Sequence, residues 1–399
     1  MSTQEWGRAL GRTLGIGAGA ALLGIAGAAA LGGVLARRVV TPEPEPESPV
    51  EVVALQKDSR EDGGQRIIAW LRGRDARLPG RYSLIFDDGE GSARVGPVTG
   101  MRSGAVAREV LAVDRGTLLE GARGRITGWW YASPEELGFR TERITYETEL
   151  GEAEAWLVHP RRARKKRWAV HVHGRGAGPL ETLRGVAPLA CAGITSLVIS
   201  YRNDAGAPVG ENGRYGIGLA ESRDVDAAIA EALGRGAERV TLFGWSMGGT
   251  ASLVAATRGA HRGVIDGVIL DSPALDWSSL LRYHASGMLV PRAVADVGIR
   301  MLDRGLVRGG EPGGIPFETL TPDAFASELA VPVLIHASSD DTFVPCDGAK
   351  RLAALKPELV QLRLVDGAEH VKLWNVDPEP WELVTEQFAR ALPRPPWRG

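Results

Sequence analysis

Residues 239–257 leave the chain little freedom in how it can fold. Arg239 to Phe243 is a β-forming run, and an Ala-rich helical stretch begins at Met247. Between them lies Gly244-Trp245-Ser246-Met247-Gly248-Gly249. A strand that turns at once into a helix strains the residue at the corner. Side chains on either side of the corner would collide, which glycine avoids. In this setting G-x-S-x-G projects a serine oxygen from the end of a sheet. The helix beginning there offers backbone N–H groups and the positive end of its dipole to developing negative charge.

A serine hydroxyl is a poor nucleophile until a base takes its proton and an acid orients that base. Where a serine sits on such a turn, the chain order is Ser, then Asp or Glu, then His. Four histidines follow Ser246: His261, His284, His336 and His370. His370, in DGAEHVKLW after the last expected strand, is the candidate base. His336 ends an apolar strand and reads as structural; His261 and His284 precede the acid. The segment HASSDDTFVPCDG holds the candidate acid. Asp341, which opens D-x-x-V-P, is preferred, and Asp340 is the alternative. Asp271 and Asp276 are weaker candidates. The oxyanion donors expected are the N–H of Met247 and one from the loop His173-Gly174-Arg175-Gly176, with Arg175 preferred and Gly174 the alternative. Tyr201, Arg202, Asn203 and Asp204 follow a parallel strand's C-terminal end, where ligand sites of α/β sheets lie. They are expected to support the site or touch substrate.

Five units are expected along the chain. Residues 1–13 form a tail. Residues 14–36, LGIGAGAALLGIAGAAALGGVLA, carry no charge and could cross ~30 Å of hydrocarbon as a helix. They read as a single-pass anchor to the cell membrane. Two arginines precede this stretch and two follow it, so charge sets no orientation. Residues 37–50 include TPEPEPESP and read as an extended linker. Residues 51–139 read as a small β-rich unit with no catalytic signature. From 140 to 399 an opening hairpin gives way to βα repeats, predicting a mostly parallel sheet with helices on both faces. Residues 274–328 interrupt that rhythm as a lid-like insertion.

The formal net charge of −2 argues against nucleic acid as a partner. His171 and His173 share a strand face but are followed by Gly174, Arg175 and Gly176, so no metal is expected. Cys191 and Cys346 are expected to be free thiols. The basic run Arg161 to Arg167 reads as a solvated loop, with contact to anionic lipid as its rival. Oligomeric state has no signature in the sequence.

The segments HVHGRGAG, SYRND, GWSMGG, LDSPALDW, HASSDDTFVP and EHVKLWNVDPEPW, spread over residues 140–390, resemble the α/β-hydrolase-fold serine esterases and lipases, in particular membrane-anchored hydrolases of actinobacteria. The resemblance implies cleavage of small-molecule or lipid carboxylic esters through an acyl-enzyme, without a metal or organic cofactor. Peptidase or acyltransferase chemistry on the same fold is the nearest rival. A binding module that has lost its chemistry is the rival from another class.

Overall fold

The computed structural model describes residues 27–42, 49–59, 65–163 and 166–393. Its first element is a helix over 27–40, α1. Six strands follow: β1 (Val50–Ser59), β2 (Gln65–Arg72), β3 (Tyr82–Phe86), β4 (Gly91–Arg102), β5 (Ala105–Arg115) and β6 (Arg123–Thr127). They pair antiparallel and close into a barrel in the order β1-β2-β5-β4-β3-β6. Alternate residues such as Val52, Leu71, Leu84, Val95 and Val106 fill its interior. Arg108 is fully buried in the barrel wall. Its guanidinium donates to the carbonyls of Ala76, Leu78, Gly80 and Gly96, so a desolvated cation is satisfied by backbone dipoles. The barrel ends near residue 127, earlier than the expected boundary at 139, and a Trp-rich connector follows.

The second unit is an eight-stranded sheet in the order β14-β13-β12-β11-β9-β10-β8-β7. The hairpin β7 (Arg140–Thr148) and β8 (Gly151–His159) is antiparallel, and β8 pairs antiparallel with β10 (Thr195–Ile199). β9 (Arg167–Val172), β11 (Arg239–Trp245), β12 (Ile265–Asp271), β13 (Val333–Ser338) and β14 (Val360–Val365) continue it in parallel. The central strands β9 to β13 are buried on both faces, as parallel strands covered by helices must be. Among the covering helices are α2 (Val186–Cys191), α3 (Glu221–Gly234), α4 (Met247–Arg258), α8 (Asp347–Leu355) and α10 (Pro378–Ala391). The insertion between β12 and β13 holds α5 (Trp277–Gly287), α6 (Arg292–Asp303) and α7 (Pro322–Glu328). A short helix, α9 (Leu373–Val376), precedes α10.

Two expectations change. Among the described residues no helix is long and apolar enough to cross a membrane. Residues 14–26 lie outside the described residues, while 27–36 belong to α1, which continues past the expected boundary to residue 40. Gly32, Ala36 and Val40, four residues apart, form its buried stripe. A Cβ on Gly32 would lie 2.9 Å from the Val294 carbonyl and 3.0 Å from the Gly298 nitrogen, so α1 and α6 cross at near backbone contact. This part of the uncharged stretch is covered on one face by protein rather than lipid. The basic run is also shorter at the surface than expected. Arg167 opens β9, buried, and pairs with Asp266 at 3.1 Å. Residues 164–165 lie outside the described residues.

Candidate active site

Ser246 occupies the turn between β11 and α4 with φ 49° and ψ −116°. Such a conformation is costly for a residue with a side chain and persists only where its surroundings enforce it. A Cβ on Gly244 would lie 2.4 Å from the Gly248 carbonyl, and one on Gly248 would lie 2.2 Å from that of Val172. The Ser246 N–H donates to the Asp271 carbonyl at 3.0 Å, fastening the turn to β12.

The Ser246 hydroxyl lies 2.9 Å from His370 Nε2, and His370 Nδ1 lies 2.8 Å from Asp341 Oδ2. The three side chains come from the ends of β11, β14 and β13. The other Asp341 oxygen accepts from the N–H groups of Phe343 and Val344, so the carboxylate is fixed and nearly buried. Asp340 points away and accepts from the Gly367 N–H, tying the loop after β13 to the loop after β14. Asp276 caps α5 through Ser279. Asp271 is buried, and burial pushes its carboxyl up to about 6. It accepts from Trp381 Nε1 and from the Ser272 hydroxyl.

The loop after β9 is braced from beneath. The Gly174 N–H, one of the two expected from this loop, donates to Glu181 Oε2 at 2.8 Å. Met247 is the first residue of α4, where helical N–H groups lack helical acceptors. His173 lies between the Gly174 carbonyl and Asp204 Oδ2 at 2.9 and 2.7 Å, stacked on Tyr201. Burial disfavours its charge, but Asp204 and the carbonyl outweigh burial and raise its pKa. The Tyr201 hydroxyl donates toward the carbonyls of His173 and Gly174. Of the four residues expected to support the site, Tyr201 and Asp204 hold this loop. Arg202 instead forms a buried pair with Asp224, and Asn203 holds the chain at Gly210 and Arg214.

Sequence reasoning missed the clamp on the His370 loop. The Val371 N–H donates to Ser272 Oγ, and its carbonyl accepts from Arg184 Nη1. Arg184 also donates to Asn375 Oδ1 at 2.7 Å. Asn375 Nδ2 donates to the carbonyls of Arg81 and Gly128, and its own carbonyl accepts from the Arg81 N–H. One asparagine therefore joins the barrel to the loop carrying His370. The Arg81 guanidinium lies over the rings of Trp130 and Trp374 at 4.9 and 4.5 Å. The segment EHVKLWN carries no spacing rule that would have revealed this.

His171 and His336 are core residues. Each bonds one hydroxyl, Ser196 or Thr385, and burial lowers each to about 3, so both are neutral. Among the described residues no group of three or more His, Cys, Asp or Glu side chains could hold a metal ion. Cys191 and Cys346 are free.

A cavity of about 380 Å³ opens above Ser246 and His370. Glu181 and Arg175 line its polar end, and Trp277, Leu280, Ile299 and Val344 line its apolar sides.

Residues 51–127 match a family described as a domain of unknown function, DUF8805; the match coincides with the barrel. Among curated proteins no sequence matches this one. The crystal structure of the Pyrococcus furiosus esterase Pf2001 in space group P21 aligns with a TM-score of 0.50 at 16% identity, covering 66% of this chain and 96% of that one. Its P212121 form aligns with the same TM-score and identity and 95% coverage of that chain. The likeness establishes the fold of the second unit: it is an α/β-hydrolase fold.

Proposed function

We propose that the chain is a serine hydrolase that cleaves carboxylic esters through an acyl-enzyme. The observation that carries this reading is the continuous chain from Ser246 Oγ to His370 to Asp341, at 2.9 and 2.8 Å, on the strained turn of an α/β-hydrolase fold. Ser246 Oγ forms a bond to the acyl carbon while His370 Nε2 takes its proton, and Asp341 stabilises the imidazolium. The Met247 and Arg175 N–H groups are the donors assigned to the negative oxygen. Collapse breaks the ester C–O bond, and His370 returns the proton to the leaving alcohol. Water, deprotonated by the same histidine, then releases the acid. No cofactor enters these steps.

Peptide-bond cleavage is a second reading. It draws on Glu181, a carboxylate lining the cavity that could pair with a substrate amine. Its Oε2 is already engaged by the Gly174 N–H, which favours the ester. We also propose that the chain works at a cell membrane. The outer face of α1, with Leu31 and Val34 exposed, and the uncharged stretch from residue 14 support this. Recovery of the full chain in the soluble fraction without detergent would overturn it.

The test of the chemistry uses the full chain with a fluorophosphonate probe, p-nitrophenyl esters and aminoacyl p-nitroanilides. Labelling and ester turnover are expected, and Ser246→Ala should abolish labelling and lower turnover by about 10⁶-fold. Anilide turnover without ester turnover would install the peptidase reading. A folded parent that takes no label would sink both.

A further inference from the structure

Helix α1 does more than rest on the hydrolase unit. Its half-buried residues Leu35 and Val39, with Ala36 between them, line the same cavity as Ser246 and His370. Further wall comes from α5 and α6 through Leu280, Ala295 and Ile299. The end of α1 is bonded to the loop expected to hold the oxyanion. Arg175 Nη2 donates to the carbonyls of Arg38 and Thr41 at 3.2 and 3.1 Å, and the Tyr215 N–H donates to the Val40 carbonyl at 2.8 Å. The Tyr215 hydroxyl in turn accepts from the Gly176 N–H. The close crossing at Gly32 and Gly298 brings α1 near enough to α6 to close the cavity between them.

We propose that α1 is a wall of the acyl-binding site, so that residues 27–40 select an ester with a long apolar acyl group. This rests on the serine-hydrolase reading. The cavity joins the nucleophile to a space lined by apolar side chains from three helices, among them Leu35 and Val39 of α1, Leu280 of α5 and Ile299 of α6. An acyl carbon bonded to Ser246 must carry its substituent into this cavity, and away from Glu181 and Arg175 its lining is largely apolar. Desolvating each methylene contributes about fourfold in kcat/KM, ~0.8 kcal/mol. The helix that reads as an anchor is on this account part of the substrate site.

The test compares p-nitrophenyl acetate with p-nitrophenyl octanoate in the full chain, together with octyl acetate, which places the long chain on the alcohol. Leu35→Trp and Val39→Trp fill the cavity and should lower the octanoate-to-acetate ratio of kcat/KM at least tenfold. Leu35→Ala, which removes bulk without adding any, should move the chain-length optimum to longer acyl groups. Val34→Ser, on the exposed outer face of α1, should leave the profile as it is. Labelling rates with short- and long-chain alkyl fluorophosphonates give the same comparison without turnover. An unchanged ratio in Leu35→Ala and in whichever tryptophan variant keeps the parent melting temperature would overturn the proposal. So would an effect on octyl acetate in place of octanoate. Failure of the parent to label or turn over any ester would instead remove the underlying hydrolase reading.

Discussion

Asp340 and Asp341 are neighbours in the chain with opposite surroundings. Asp341 holds His370 Nδ1 and two backbone amides, whereas exposed Asp340 holds only the Gly367 amide. Removing the Asp341 charge while keeping its shape should lose the orientation of the imidazole. Asp341→Asn is therefore expected to lower kcat by about 10⁴-fold with little change in KM. Asp340→Ala should leave kcat alone and cost on the order of 1 kcal/mol of stability. Steady-state kinetics and urea titration of both variants check this, and equal losses of kcat would reverse the assignment. The sequence leaves this pair open because adjacent residues in a loop share every statistical feature and differ only in side-chain direction. Ser246 and His370 were legible because a strained strand-to-helix turn demands glycines at fixed offsets and because chain order limits the base. Glu181, Ser272, Arg184 and Asn375 were not, since hydrogen bonds between loops distant in sequence follow no period.

Strand β12 ends on a buried carboxyl that receives α10: Trp381 Nε1 donates to Asp271 Oδ2 at 2.9 Å. Burial raises Asp271 from 3.8 to about 6. Between those values the folded protein holds a proton that the unfolded chain has released, so this group removes stability as pH rises through about 4 to 6. An uncharged asparagine escapes that loss. The unfolding free energy of Asp271→Asn relative to the parent should thus shift in the variant's favour by about 2 kcal/mol from pH 4 to pH 7. Chemical denaturation at several pH values measures it, and a flat difference would show that Asp271 titrates normally. At this scale the sequence was legible where periodicity is strong, as in β9 to β14 and α10. Over residues 27–36 it could not show that protein covers one face, because an uncharged run of small residues reads alike whether lipid or protein covers it. Only the four-residue spacing of Gly32, Ala36 and Val40 hints that one face meets another helix.

The barrel and the hydrolase fold meet through Asn375, which bonds Arg81 and Gly128 on one side and Arg184 on the other. That contact reaches the His370 loop through the bond from Arg184 to the Val371 carbonyl. Asn375→Ala leaves buried donors and acceptors without partners, which costs about 1–3 kcal/mol for each group. The two units are then expected to melt in separate calorimetric transitions, and kcat should fall more than KM rises. A single transition with parental kcat would mean that the joint lies elsewhere. The division into a β unit and an α/β unit was legible from the change in hydrophobic period near residue 140, but the dependence of one on the other was not.

The reach of α1 into the substrate cavity bears on where this chain can be shortened. A cut within the segment from Thr41 to Pro49 looks harmless, since it leaves both β-containing units whole. It would nonetheless strip Arg175 and the Tyr215 amide of their carbonyl partners and open one side of the cavity to water. The shortened protein would retain its serine, histidine and aspartate while losing the surface against which a long acyl chain is measured, and its substrate preference would describe the cut rather than the protein.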